Sequence, residues 1–191
     1  MKRISLTESA HISIREHLLT GDVAIDATLG NGYDTMFLAG LVGPNGHVYG
    51  FDVQATALEI TSQRLEQQSL QNRGTLFQTS HANMRDWIPA KLLGGIKAIM
   101  FNLGYLPGAD KSIMTQAEST LQALSLACEF LSEQGVMTVL AYPGHAGGDL
   151  ETRSVEEWFS RLDADRYYVE LILSHQNQAS SPRLFVIRKQ A

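Results

Sequence analysis

A short apolar run, Val23-Ala24-Ile25-Asp26, leads straight into Ala27-Thr28-Leu29-Gly30-Asn31-Gly32, and a helix-forming stretch from Tyr33 to Val42 follows. No other feature constrains the fold as much as this strand, glycine turn and helix. Glycines in such a turn let the backbone approach a bound molecule where side chains would intervene. Asp52 stands twenty residues beyond Gly32, at the end of a second apolar run from His47 to Phe51. A carboxylate there can accept both hydroxyls of a ribose. The pattern predicts an open α/β sheet with an adenosine-containing ligand beyond the carboxyl ends of its strands.

The remaining segments alternate in the same way. A polar amphipathic helix is predicted over Thr7 to Leu19. A long helix is predicted over Gln54 to Leu70, on apolar residues Ala57, Leu58, Ile60 and Leu65. Further strands are predicted at Gly74 to Thr79, Ile96 to Phe101 and Gly135 to Tyr142. Helices are predicted at Ile113 to Leu131 and Thr152 to Leu162. Such alternation implies a largely parallel, Rossmann-like sheet with helices on both faces. The last two strands, Tyr167 to Ser174 and Leu184 to Arg188, have no helix between them and should close a seven-stranded sheet as an antiparallel hairpin. That hairpin separates the methyltransferase version of the doubly wound sheet from a plain dinucleotide-binding one. A length of 191 residues suits a single domain over 1–191, with residues 1–20 as a helical segment packed on it.

The N-terminus is polar and lacks the apolar stretch of a secretory signal. No apolar run reaches the ~20 residues of a membrane span. The lone cysteine, Cys128, cannot form an internal disulfide and fits a reducing, cytoplasmic setting. A formal net charge of −5 gives no whole-molecule attraction to nucleic acid, so an RNA partner would need a local basic surface.

NAD and S-adenosylmethionine both use a glycine turn followed by a distal acid. A dinucleotide site normally adds a third glycine against the pyrophosphate, and here that position is Thr35. Asp26 instead precedes Gly30 by four residues, and an acid there suits the cationic amino-acid end of S-adenosylmethionine. Asp34 adds a second carboxylate near the same end. The expected cofactor site is Asp26, Thr28, Gly30, Asn31, Gly32, Asp34, Thr35, Asp52 and Gln54, with Asn102 from the end of the fourth strand. After the third strand, His81 and Asn83 are candidates to flank the adenine, although His81 could equally be a solvent-facing turn residue.

On the substrate side, the fourth strand ends in Asn102-Leu103-Gly104-Tyr105-Leu106-Pro107-Gly108. Many amino-group methyltransferases place an Asn or Asp, prolines and an aromatic here, and Asn102 and Tyr105 fit those roles. The fifth strand ends in Tyr142-Pro143-Gly144-His145-Ala146-Gly147-Gly148. His145 could take a proton from a substrate ammonium, hydrogen-bond it, or only fix the loop. His175, Gln176 and Asn177 could also line the pocket. Methylation at carbon five of a pyrimidine needs a cysteine nucleophile. Cys128, amid Leu124, Leu126 and Leu131, reads instead as a small buried hydrophobe. No Cys/His cluster has zinc-ligand spacing, so no metal site is predicted. The acceptor is then a nitrogen or oxygen, and catalysis rests on orientation.

The motifs Ile25-Asp26-Ala27-Thr28-x-Gly30-Asn31-Gly32-x-Asp34-Thr35, Gly50-Phe51-Asp52-x-Gln54, Asn102-Leu103-Gly104-Tyr105-Leu106-Pro107-Gly108 and Tyr142-Pro143-Gly144-His145-x-Gly147-Gly148 resemble one small bacterial family, long labelled rRNA methylases. The resemblance runs from about Gly21 to Lys189. Characterised members of that family convert wobble 5-aminomethyl-2-thiouridine in tRNA to its 5-methylaminomethyl form. The resemblance implies the class I S-adenosylmethionine-dependent methyltransferase fold, with Asp26, Gly30 and Asp52 on the cofactor. It implies that Asn102, Tyr105, Tyr142 and His145 border an aminomethyl-uridine pocket. It also implies tRNA, at its anticodon stem-loop, as partner. Arg183, Arg188 and Lys189, with Lys111 and Arg153, are then the candidates for phosphates. Tyr33 departs from the histidine that members often carry, and Ser181-Pro182-Arg183 replaces a more proline-rich stretch. Compact methyltransferases of this size often form homodimers, an arrangement open to this chain as well. The alternatives are a ribosomal-RNA or small-molecule methyltransferase with the same cofactor, a non-catalytic cofactor-binding subunit, and an NAD-dependent oxidoreductase.

Overall fold

The computed structural model describes residues 4–104, 114–144, 147–174 and 178–191. Tyr105, Lys111, His145, His175, Gln176 and Asn177, all singled out from the sequence, lie outside the described residues. Seven strands form one sheet: β1 Val23–Asp26, β2 His47–Asp52, β3 Gly74–Gln78, β4 Ile96–Asn102, β5 Leu131–Ala141, β6 Tyr167–Leu173 and β7 Arg183–Lys189. Their order is β3-β2-β1-β4-β5-β7-β6. β7 runs antiparallel to both of its neighbours, and the other pairings are parallel. The predicted seven-stranded sheet with a closing hairpin is therefore the observed one.

Strand periodicity divides the core. Ile25, Ile99, Phe101, Phe185 and Ile187 join one buried cluster, while Ala24, Ala98, Met100, Leu184 and Val186 join another on the opposite face. Successive side chains point to opposite faces of a sheet, and both faces are covered here, so these strands read as near-continuous apolar runs. One face carries helices α1 Leu6–Arg15, α2 Tyr33–Val42 and α3 Ala55–Gln67, through Ile14, Leu38, Val42 and Leu65. The other carries α4 Met84–Trp87, α5 Ala117–Phe130 and α6 Gly148–Ser160, through Met84, Leu124, Phe130, Val155 and Phe159. Among the described residues no helix is long and apolar enough to cross a membrane.

The structure moves several predicted boundaries. The helix expected from Ile113 starts only at Ala117, because Gln116 before it is extended. It ends at Phe130, and β5 begins at once with Leu131. α6 begins at Gly148 rather than Thr152, behind a left-handed Gly147 at φ 81°. Asp149 and Glu151 occupy its first turn, where carboxylates complement the helix dipole.

Glu151 is also buried. It accepts hydrogen bonds from the hydroxyls of Thr120 on α5 (2.6 Å) and Thr115 (2.7 Å). Thr115 Oγ1 in turn accepts the Gly104 N–H at 2.8 Å, and the Thr115 N–H donates to the Gly104 carbonyl at 2.9 Å. One carboxylate thus binds α6 to α5 and fixes the residue that clasps Gly104 just beyond β4. Glu151→Ala strands both hydroxyls, and the expected cost is roughly 2–4 kcal/mol. Urea unfolding measures it, and an unchanged midpoint would show that the network carries no stability.

Candidate active site

The parallel register brings the ends of β1, β2 and β4 into line, with Asp26 opposite Gly50 on one side and Met100 on the other. Beyond these ends lies a cavity of about 710 Å³. That size falls within the ~300–1,000 Å³ of ordinary small-ligand sites. Its wall includes nine of the residues expected from the sequence: Thr28, Gly30, Asn31, Asp34, Asp52, Gln54, His81, Asn102 and Tyr142. Asp26, Gly32, Thr35 and Asn83 are not in the wall.

The turn after β1 is held from behind. Asp26 has no solvent exposure. Its Oδ1 accepts the Thr28 N–H at 3.1 Å and its Oδ2 accepts the Thr35 hydroxyl at 2.5 Å. Asp26 was expected to meet the ligand's cationic end; it instead fastens the turn to the start of α2. Gly32 is a fold residue too. Its φ of 77° and a Thr61 Oγ1 only 2.7 Å from where a β-carbon would stand leave room for glycine alone. Asn83 donates to Thr79 Oγ1 at 3.1 Å on the exposed side. Thr28 Oγ1 accepts the Asn102 N–H at 2.7 Å, so the same network sets the end of β4.

Asp52 is arranged differently. Its Oδ2 accepts the Gly30 N–H at 3.0 Å and its Oδ1 the Gln54 N–H at 2.9 Å. Two backbone donors orient the carboxylate and leave lone pairs on both oxygens at the cavity. Val53 beside it is 53% exposed and supplies an apolar surface on the same wall. His81 is buried, not solvent-facing, and burial pushes its pKa down to about 4. The ring is therefore neutral, and Nδ1, 3.1 Å from the Ala27 carbonyl, carries the proton.

At the other end of the cavity, Asp34, Asn102 and Tyr142 come together. Asn102 Nδ2 lies 3.5 Å from Asp34 Oδ2, and Asp34 Oδ1 lies 2.7 Å from His11 Nε2. Burial first, then the Asp34 charge, raises the Tyr142 phenol above its ordinary value, so it stays protonated. Thr7 and His11 belong to α1 and were not foreseen. Their neighbours at this end of the cavity lie far away in sequence, and no local pattern marks them. Tyr33 is 64% exposed, under the Arg64 guanidinium at 4.4 Å from the ring centre.

Cys128 packs against the core, and burial raises its thiol pKa to about 11. It is therefore a poor nucleophile. Arg183 and Arg188, expected to meet phosphates, are paired with Glu156 and Glu170. Lys189 reaches the Leu131 carbonyl at 2.7 Å and the Cys128 carbonyl at 3.4 Å. These three side chains are engaged within the fold. Arg153 is exposed, with Nε on the Asp149 carbonyl at 3.2 Å.

The buried carboxyl of Asp26 gives a pH signature. Burial above all, then the Asp34 charge, raises its pKa from 3.8 to about 7, against the hydrogen bonds from Thr35 and Thr28. Between those values the fold holds a proton that the unfolded chain has released. The contribution of Asp26 to stability is therefore greatest at low pH and falls as pH rises from about 4 to about 7. Asp26→Asn removes this titration, and its stability relative to wild type should climb across the interval. Urea unfolding at a series of pH values checks this, and parallel profiles for the two proteins would refute it.

Comparison with known proteins agrees with this geometry. The sequence profile of the family described as "Putative rRNA methylase" matches residues 48–189. A tRNA (mnm(5)s(2)U34)-methyltransferase of Arabidopsis thaliana chloroplasts is 38% identical over 168 residues, 84% of this chain and 61% of that protein. The chain thus spans about three fifths of the length of that relative. A crystal structure from Clostridium thermocellum, described as an rRNA-methylase of the same provisional kind, has a TM-score of 0.93 and 39% identity. The match covers 99% of this chain and 100% of that one. A Streptococcus mutans methyltransferase solved with SAH has a TM-score of 0.85 and 34% identity, covering 99% of each chain.

Proposed function

The chain belongs to the rRNA methylase family, and from that premise we propose that it is an S-adenosylmethionine-dependent N-methyltransferase of tRNA. In this reading it converts wobble 5-aminomethyl-uridine, with or without the 2-thio group, to the 5-methylaminomethyl form. The observation that carries the reading is the acceptor end of the cavity, where a carboxylate, an amide and a phenol converge on Asp34, Asn102 and Tyr142. That is a set of partners for an amine. The one cysteine is a buried thiol outside the wall, so it is not placed to activate a pyrimidine ring. The 38% identical plant relative is named for a tRNA wobble methylation.

The donor set suits the cofactor. Asp52 would take the ribose hydroxyls, Val53 and His81 would border the adenine, and the turn from Thr28 to Asn31 would lie along the amino-acid end. When bound, S-adenosylmethionine supplies an electrophilic methyl group. This chain's own residues then bind and orient the acceptor. Asn102 Oδ1 accepts an amine N–H and points the nitrogen lone pair, and the Asp34 carboxylate favours a cationic amine at entry. Tyr142, protonated, keeps an O–H to donate as well as an oxygen that accepts. Orientation of this kind can supply several kcal/mol of a barrier without a covalent intermediate. An amine acceptor needs only to give its ammonium proton to solvent to become nucleophilic, which the absence of a reactive thiol does not hinder.

The test is methyl transfer from labelled S-adenosylmethionine to tRNA carrying unmethylated 5-aminomethyl-uridine, with nucleoside mass spectrometry of the product. Appearance of 5-methylaminomethyl-uridine is expected. Label in ribosomal RNA, with none in that tRNA, would replace the substrate and keep the cofactor. Two variants separate the ends of the cavity. Asp52→Ala should weaken S-adenosylmethionine binding by on the order of tenfold, about 1.4 kcal/mol. Asn102→Ala should lower turnover on the order of a hundredfold with cofactor affinity nearly kept. Calorimetric titration and initial rates measure these, and an inverted pattern would exchange the two assignments.

A further inference from the structure

Helix α1 packs on β5 and β7 and precedes residues 48–189, the stretch matched by the family profile. Two of its residues nevertheless reach the acceptor end of the cavity. Thr7 and His11 stand four apart, so they share one face of the helix. Thr7 is in the cavity wall together with Tyr142. His11 Nε2 lies 2.7 Å from Asp34 Oδ1. The His11 ring is also clamped, stacked on Phe37 at 3.8 Å between centres and 5° between planes. Arg15, one turn further along α1, places its guanidinium 5.1 Å from the same Phe37 ring.

Asp34 is 7% exposed and so has little freedom to turn. Its Oδ1 is committed to His11, which leaves Oδ2 facing Asn102 Nδ2 at 3.5 Å. A carboxylate only accepts hydrogen bonds, so the Asn102 group that faces it must be the amide nitrogen. The Asn102 carbonyl oxygen is then turned away from Asp34. The Asn102 backbone is already fixed by its N–H bond to Thr28 Oγ1 at 2.7 Å. The remaining freedom of this side chain is the flip of its amide, and that is what Asp34 decides.

We infer that His11 is a positioning residue of α1 that acts through Asp34 to hold the Asn102 amide with its oxygen toward the acceptor amine. The inference rests on the proposed role of Asn102 at that amine. His11 touches no reacting atom. Its contribution is to anchor Oδ1, so that Oδ2 stays within reach of Asn102; a carboxylate displaced from Asn102 would no longer select which end of the amide faces it.

The test compares His11→Ala with His11→Gln, whose side-chain amide can restore an N–H donor near the Nε2 position. On tRNA bearing aminomethyl-uridine, His11→Ala should lose turnover on the order of a hundredfold while S-adenosylmethionine affinity changes less than about twofold. His11→Gln should recover most of that loss. If the two variants lose turnover equally and in step with thermal stability, the role is packing alone and the inference fails. A second measurement does not require the substrate. In ¹⁵N-edited NMR of the uniformly labelled protein, the Asn102 side-chain NH₂ should show slowed solvent exchange in wild type and in His11→Gln, and fast exchange in His11→Ala. Equal exchange in all three overturns the inference whatever the enzyme methylates. Slowed exchange that depends on His11, in a protein inactive on this tRNA, keeps the positioning chain and rejects the substrate.

Discussion

Two hydrogen bonds to Asp26, from the Thr28 amide and the Thr35 hydroxyl, hold together the elements that make the cavity. The first fixes the start of the glycine turn, and the second fixes the start of α2. Thr28 passes the constraint to β4 by accepting the Asn102 N–H. Placing a carboxyl group where no solvent reaches it is costly, and its raised proton affinity is the visible sign of that cost. Hydrogen bonds offset part of it. The remainder is a local expense in stability, in return for a turn whose amides and side chains stand at set places around the ligand space.

The sheet was legible because its physics is local. Strands covered on both faces must be apolar at nearly every position, so runs such as Ile96 to Phe101 and Gly135 to Tyr142 could be read directly. Errors arose where tertiary contacts decide a boundary. Leu131 continued the apolar helical period of α5 on paper, yet its side chain is taken up by β5 and the sheet core. Gly147 to Glu151 looked like loop, because a left-handed glycine followed by acids resembles a turn as much as a helix start. The stretch from His81 to Leu92 contains only helical segments of three or four residues, too short for any period to show.

The residues whose place in the cavity wall follows from position at a strand end are Asp52, Asn102, Tyr142 and the turn residues Thr28 to Asn31. Sequence spacing could not tell a residue in the cavity wall from one behind it. Thr35 and Asp26 sit nine residues apart and bond each other behind the cavity wall rather than in it. His11 and Asp34 are twenty-three residues apart, on helices whose packing no local pattern reveals. The arginines near the C-terminus have partners that sequence spacing does not reveal. Arg183 and Arg188 appear free in a list of charges, but β7 carries them to Glu156 on α6 and Glu170 on β6.

Three aspartates line up at this edge of the sheet, and environment alone gives them different work. Asp26 is sealed and takes its partners from the turn, so it stabilises backbone and is driven toward the neutral form. Asp52 stands at the cavity and takes two backbone amides, so it is an oriented acceptor with capacity to spare. Asp34 lies between, nearly buried, with one oxygen on His11 and the other toward Asn102. The first and third are coupled, since the Asp34 charge is the second-largest cause of the raised Asp26 pKa. A cationic group arriving beside Asp34 would offset that charge and ease the ionisation of Asp26 behind the wall. The scaffold of the turn and the chemistry at the acceptor end are thus linked electrostatically across one layer of side chains, although only one of the two carboxyls can touch a ligand.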